Sequence, residues 1–337
     1  MAITLAEAKV GMADKVDQMV VDEFRRDSFL LDRLVFDDAV SPGTGGSTMT
    51  YGYMQLKTPS TAARRDINTE YTNNEAKREK KTADLDIFGG SFKVDRVIQS
   101  TSGAVNEIDF QMKQKIKAAS NLFHYLVVNG STNGGKGFVQ CKFDGIRKLL
   151  SGTSTEKSAE SIDLTTAENI DKYMYSFALK INKWLQTMAE RPDMLLMNGD
   201  MLAVMQYIGQ KMGYFSREKN DFGNEVVSYR GIAMVDAGRY YDGSGEQECI
   251  TTDSDTGLSS MIGLKIGLEA FHGICPVETK AFIKSYLPDL NAPGAVKTGE
   301  AEMVAGVVLK NTKMSGILKD IKIAPTVTQT QNPSTTG

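Results

Sequence analysis

The apolar positions of this 337-residue chain follow a helical rhythm in some stretches and a strand rhythm in others, and between residues 57 and 82 they nearly disappear. Val105, Ile108, Met112, Ile116, Ala119, Phe123 and Leu126 recur at three- and four-residue steps behind Ser102, a candidate cap, and predict one long amphipathic helix from about 103 to 128. At about 1.5 Å per residue such a helix is a beam of roughly 39 Å. Upstream, Thr48–Lys57 places Met49, Tyr51 and Tyr53 on one face by alternation. A return arm does the same with Ala83, Leu85 and Ile87, then Phe92 and Val94 beyond Gly89-Gly90. Between the arms, Arg64, Arg65, Asp66, Glu70, Glu75, Lys77, Arg78, Glu79, Lys80 and Lys81 mix both signs without an apolar stripe, so burial cannot offset the entropy of ordering them. Two readings stand: a solvated loop, or a hairpin that reaches from the rigid helix onto a neighbouring molecule.

The remaining pattern is α+β. Residues 1–47 read as an arm, with a helix carrying Val16, Met19, Val20 and Phe24, an apolar patch at Phe29, Leu30, Leu31 and Leu34, and the turn Ser41–Gly46. Asn129–Gly137 is a glycine-rich loop, and Phe138–Leu150 a short strand or helix. Thr165-Thr-Ala-Glu168 is a capping box for a helix with Ile170, Met174, Phe177, Ile181, Trp184, Leu185 and Met188 on its apolar face, ending before Arg191-Pro192. Met194–Met197 reads as a buried strand, Asn198-Gly-Asp200 caps a helix through Leu202, Met205 and Ile208, and Val226–Tyr229 and Ile232–Val235 are strand-like. From Met261 onward strands are expected at Leu264 and Ile266, Ala281–Tyr286, Val304–Leu309 and Ile317–Ile323. The end, 326–337, has little to bury and is expected to be disordered.

Composition narrows the function. With 41% hydrophobic and 24% charged residues the chain is ordinary globular material, and a net charge of −3 supplies no global basic field for nucleic acid. The start lacks a signal-peptide pattern and no run approaches the roughly 18 apolar residues of a membrane span, so a soluble cytosolic chain with no membrane partner is expected. Cys141, Cys249 and Cys275 are far apart and read as small core residues in a reducing compartment. The two histidines, His124 and His272, have no partner at metal spacing. Gly130–Lys136 matches the first seven positions of a phosphate-cradling loop, but a helix precedes it and Gly137 stands where the magnesium ligand belongs. Asp253-Ser-Asp255 is too short for a calcium loop. No catalytic, cofactor or metal residue is assigned, and an enzyme is not expected.

Several strings resemble the major capsid proteins of tailed bacteriophages, the Hong Kong 97-type fold. Phe88-Gly-Gly-Ser-Phe-Lys-Val-Asp-Arg-Val97 looks like the return strand of the extended loop, and Asn121-Leu-Phe-His-Tyr-Leu-Val-Val-Asn-Gly130 like the end of the spine helix. Leu195-Leu-Met-Asn-Gly-Asp200 looks like the axial domain's strand-to-helix turn, and Tyr229-Arg-Gly-Ile-Ala-Met-Val-Asp236 like its following strand. The resemblance implies an α+β capsid fold: N-terminal arm (1–47), extended β-hairpin loop (48–99), spine helix with the first part of a peripheral β-rich domain (100–154), central axial α/β domain (155–275), the rest of the peripheral domain (276–325) and a tail (326–337). It implies a structural subunit that self-assembles into pentamers and hexamers forming an icosahedral shell around phage double-stranded DNA, in the virion and built in the host cytoplasm. No coiled charged segment precedes the arm, which implies a separate scaffolding protein or none; a portal, possibly a decoration protein, and non-specific DNA contact on the inner face complete the expected partners. Lys57, Arg64, Arg65, Lys77, Arg78, Lys80 and Lys81 are the expected intersubunit contacts of the loop. A shell protein of a bacterial protein-cargo compartment with the same fold is the alternative, and an enzyme of unknown chemistry the alternative outside shells.

Overall fold

A computed structural model describes residues 29–39, 48–96, 107–213, 215–219, 225–242, 245–276 and 283–325. The expected helix around Val16–Phe24, the turn at Ser41–Gly46, Ser102, Val105 and the 326–337 tail lie outside the described residues. Helix α1 (Phe29–Arg33) leads into β1 (Phe36–Asp38); β2 (Thr50–Thr58), β3 (Lys77–Asp84) and β4 (Asp86–Asp95) precede the long helix α2 (Glu107–Asn129). Strands β5 (Gly130–Ser131) and β6 (Val139–Gln140) and helix α3 (Ile146–Leu150) gather at its C-terminal end. Then come β7 (Glu156–Asp163), α4 (Ala167–Leu185), β8 (Met194–Met197), α5 (Gly199–Met212), β9 (Phe215–Lys219), β10 (Glu225–Tyr229), β11 (Ile232–Asp236), β12 (Arg239–Tyr241) and β13 (Glu246–Glu248). Strands β14 (Leu258–Leu264), β15 (Phe271–Cys275), β16 (Lys284–Tyr286), β17 (Val296–Leu309) and β18 (Gly316–Lys322) complete the described chain.

Two sheets organise these elements. The first runs β1-β15-β17-β16, with β4 along the other edge of β17; the second runs β7-β18-β14-β8-β11-β10-β9. Sequence order is shuffled between them, since β15 joins the first sheet while β18 returns to the second. The beam helix covers the first sheet: Ile108, Met112, Ile116, Ala119 and Phe123 lie buried against Phe88, Phe92, Val94, Ala301 and Met303. In the second, β8 is buried at all four positions, as a central strand covered on both faces must be. Its neighbours α4 and α5 bury Ile170, Phe177, Ile181 and Trp184, and Met201, Met205 and Ile208. Asn198 caps α5 by accepting from the Met201 amide at 3.0 Å, and Gly213 (φ 67°) closes it in the left-handed conformation that glycine tolerates.

Four local expectations change. The cap of α4 is Thr166, which accepts from the Asn169 amide at 3.2 Å, because Thr165 turns its hydroxyl to Asp163 at 2.7 Å. Ile87 points outward and Phe88 inward, since the chain leaves its partner β2 at Leu85 and re-enters pairing with β17, and one residue of offset reverses the faces. The polar β7 is a strand because it pairs in parallel with β18, with Glu160 (φ 57°) and Ser161 (φ 53°) at the break in register. Strand β15 and the first half of β17 are also strands that the sequence pattern does not announce. Cys249 and Cys275 are buried and Cys141 is half-buried. His124 is packed on α2 with Nε2 2.5 Å from the Ala237 carbonyl, and burial lowers its pKa.

Candidate intersubunit surface

Strands β2 and β3 leave the body as a two-stranded ribbon with no third strand on either long edge among the described residues. Directly opposed residues of an antiparallel pair share a face. One face therefore carries Tyr51 with Ala83, Tyr53 with Lys81 and Gln55 with Glu79; the other carries Gly52 with Thr82, Met54 with Lys80 and Leu56 with Arg78. An irregularity between Leu56 and Thr58 then shifts the register.

The first face belongs to the subunit itself. Tyr51, Tyr53 and Ala83 pack on a small core of Ala39, Leu85, Ile274 and Val308. The Tyr51 hydroxyl donates to Asp37 Oδ2 at 2.6 Å, Lys310 Nζ lies 3.7 Å from the same oxygen, and Gln55 Nε2 donates to the Lys310 carbonyl at 2.9 Å. Burial pushes the Asp37 carboxyl up, but the Tyr51 hydroxyl, the Asp38 amide and Lys310 together hold it below its ordinary value. Burial and then Asp37 raise the Tyr51 phenol, so the hydroxyl stays a donor. The root of the ribbon is thus fixed in direction by side chains from β1 and the residue following β17.

Behind Tyr51 lies His272 on β15, fully buried, its ring edge-on to the tyrosine at 5.9 Å. Among the described residues neither ring nitrogen has a hydrogen-bond partner, although the Ala270 and Gly267 backbone favours its cation. Burial, reinforced by Lys310 and opposed by Asp37, lowers the His272 pKa to about 4. Stability follows with a definite sign. Above the unfolded value of roughly 6.5 nothing changes; as pH falls from there toward 4 the unfolded chain takes up a proton that the folded chain refuses, and stability is lost. The drop in urea midpoint between pH 7 and pH 5 should be smaller in His272→Phe than in wild type. Asp37, with its lowered pKa, stays ionised over that window, and His124 contributes equally to both proteins. Equal drops would mean that His272 is hydrated or partnered when folded.

The second face is turned to solvent, with Met54 64% and Leu56 61% exposed beside Lys80 and Arg78. Every residue from Leu56 through Thr82 is exposed. The tip is nonetheless tied to itself: Arg65 donates to the Thr69 carbonyl at 3.2 Å and stands 5.3 Å from the Tyr71 ring centroid, and Asn74 bonds Thr61. The ribbon is therefore an ordered hairpin in this structure.

The seven residues singled out from the sequence separate by position. Lys57 sits at the register shift and pairs with Glu79 at 3.3 Å, an exposed contact worth about 0–1 kcal/mol. Arg64 and Arg65 are in the tip, and Lys77 opposes Thr58. Arg78 and Lys80 share the outward face, whereas Lys81 shares the inward face with Tyr53. Sequence reasoning missed Met54 and Leu56, although the alternation that turns Tyr51 and Tyr53 inward must turn them outward. It also missed Asp37 and Gln55, whose partners are far along the chain.

Elsewhere the glycine-rich loop leaves α2 with its Thr132 amide already donating to Asp144 Oδ1 at 2.7 Å, while Arg147 donates to Asn129 Oδ1 at 2.6 Å. The Thr132 amide is thus held by a carboxylate and those of Asn133 and Gly134 by the Ser131 hydroxyl and carbonyl, rather than presented together to a phosphate. An open depression of about 480 Å³ between Arg33, Val35, Arg191, Asp193 and Lys265 contains the Lys265–Asp193 pair at 3.1 Å and no convergent catalytic set. Among the described residues no group of three His, Cys, Asp or Glu could hold a metal, and no helix is long and apolar enough to cross a membrane.

No protein-family model matches the sequence, and no curated protein is significantly similar to it. Solved structures do match. The holo-SrpI encapsulin complex from Synechococcus elongatus PCC 7942 superposes with a TM-score of 0.63 at 11% identity, covering 89% of each chain. The capsid of Myoviridae phage XM1 gives 0.54 at 13% identity over 87% of this chain and 91% of the other, and a structure from Mycobacterium phage Bobi gives 0.54 at 11% over 86% and 89%. The fold is the α+β Hong Kong 97-type shell fold.

Proposed function

We propose that the chain is a structural subunit of a closed protein shell, and specifically the major capsid protein of a tailed bacteriophage, self-assembling into pentamers and hexamers of an icosahedral capsid around packaged double-stranded DNA. The observation that carries this reading is the ribbon: an ordered arm whose residues from Leu56 to Thr82 are all exposed in one subunit and whose root is clamped in one direction. Such an arm buries little within its own chain and gains burial by contact with another molecule. Heterologous contacts of this kind close into rings when the rotation between copies permits. In this reading 48–99 is the intersubunit loop, 100–154 and 276–325 supply the peripheral part and 155–275 the axial part. Scaffolding, portal and decoration proteins act as partners, the inner face touches DNA without sequence preference, and shells form in the host cytoplasm before becoming virions.

A second reading, a bacterial compartment around protein cargo, is favoured by the better superposition on the encapsulin shell. Expression alone and with the genomic neighbours, followed by electron microscopy and analysis of the lumen, tests both. Particles holding DNA support the capsid, particles holding a co-expressed enzyme support the compartment, and protein that stays monomeric under every condition removes both.

A further inference from the structure

Two depressions meet at Arg191. The larger, of about 480 Å³, lies between Arg33, Val35, Arg191, Asp193 and Lys265; the smaller, of about 320 Å³, runs from Gln186 and Glu190 past Arg191 to Arg230. Four cations, brought by the end of α1, the α4–β8 loop, the β10–β11 turn and the end of β14, therefore stand against two carboxylates. Both carboxylates are engaged. Asp193 Oδ1 lies 3.1 Å from Lys265 Nζ, its Oδ2 accepts from the Ile266 amide at 2.9 Å, and Glu190 stands 3.9 Å from the same ammonium. Lys265 thus answers both acids and leaves the Arg191 guanidinium uncompensated.

Arg191 has no hydrogen-bond or ion-pair partner among the described residues, yet its fork is placed. The guanidinium lies on bare backbone, because a Cβ at Gly231 would stand 2.7 Å from Nη2 and 3.7 Å from Cζ. Arg230 (φ 53°) and Gly231 (φ 73°) form the two-residue turn between paired Tyr229 and Ile232, and such turns take positive φ at both central residues. Asn182 on α4 pins the turn: its Oδ1 accepts from the Tyr229 hydroxyl and from Arg230 Nη1, each at 3.0 Å. On the other side of Arg191, buried Pro192 restricts the chain. A fork already positioned loses less freedom when it binds.

We propose that Arg191, with Arg33 and Lys265 across the larger depression and Arg230 across the smaller, binds a phosphate-bearing ligand. A guanidinium meets two phosphate oxygens side by side, and cations on both sides of Arg191 suit a group with acceptor oxygens in several directions better than a planar carboxylate. The phosphate comes either from the phosphodiester backbone of a nucleic acid or from a free phosphate ion. The site stands apart from the shell reading, since it lies within one subunit and binds whether or not shells form.

Three variants test it. Arg191→Gln removes the charge, Arg191→Lys keeps the charge without the fork, and Arg64→Gln/Arg65→Gln removes charge at the ribbon tip instead. Melting is compared in sodium phosphate and in sodium chloride of equal ionic strength, and the affinity for a fluorescent DNA duplex is read by anisotropy. Phosphate strengthens burial in any protein, so the signal is the difference between wild type and variant. All variants should melt like wild type in chloride. The extra stabilisation by phosphate should disappear in Arg191→Gln, shrink in Arg191→Lys and persist in the tip variant. Duplex affinity should fall roughly tenfold in Arg191→Gln, the loss of one charge-assisted contact. A response to phosphate alone identifies the free ion as the source, and a response to the duplex alone identifies the nucleic-acid backbone. If neither response depends on Arg191, or the tip variant loses as much, the site is overturned while the shell reading stands.

Discussion

Replacing residues 56–78 by an Asn-Gly turn that joins Gln55 to Glu79 leaves a folded subunit that melts within about 4 °C of wild type and no longer forms shells. Gln55 and Glu79 are directly opposed, so a two-residue turn closes the shortened hairpin in register. Every residue removed is exposed, so little apolar burial is lost, and shortening the connection lowers its closure entropy by a modest amount. The contacts that fix the root, Tyr51 to Asp37 and Gln55 to Lys310, remain. A change of 1 kcal/mol in a chain of this size moves melting by only about 2–4 °C. Calorimetry beside electron microscopy separates the outcomes: a fall beyond about 10 °C would mean that the ribbon belongs to the folding core, and normal shells without it would remove its role in joining copies.

Trp184→Ala has the largest expected effect on folding itself, about 3–5 kcal/mol. The indole is 1% exposed and lies over Gly263 and Gly316, which face each other across β14 and β18. A Cβ on Gly263 would stand 3.2 Å from the ring, and one on Gly316 3.0 Å from Nε1, so the two glycines make the recess that the ring fills. Its Nε1 donates to the Thr155 carbonyl at 3.1 Å, tying α4 to the start of β7; truncation leaves a cavity and also orphans that acceptor. Denaturant unfolding measures the loss, and a value under about 1.5 kcal/mol would mean that the sheet collapses into the vacated space.

What the sequence disclosed depends on how each element is buried. Helices α2, α4 and α5 have one apolar stripe each, and β8 is a short apolar run before an asparagine cap, so type and location could be read directly. Strand β15, Phe271–Cys275, is buried at every position, including His272 and Gly273, and such a strand has no alternation. The first half of β17 does alternate, but its inward positions are Lys297, Gly299, Ala301 and Met303, where a buried lysine and a glycine under Phe92 hide the pattern. The candidate surface was legible as an exposed charged hairpin. Its two faces were not, because Arg78 and Lys81 are neighbours in any charge count and are separated only by the pairing of β3 with β2.

The open edges of the ribbon bear on a subunit waiting for partners. An unpaired strand edge is a template for any other strand, and two free subunits could pair ribbon to ribbon. With Lys77, Arg78, Lys80 and Lys81 against a single Glu79 in the first five residues of β3, an encounter of two β3 edges there would bring mostly cations together. The same charges therefore disfavour a dead-end dimer through β3, and in the proposed shell they would leave free copies available until a growing particle offers a partner surface.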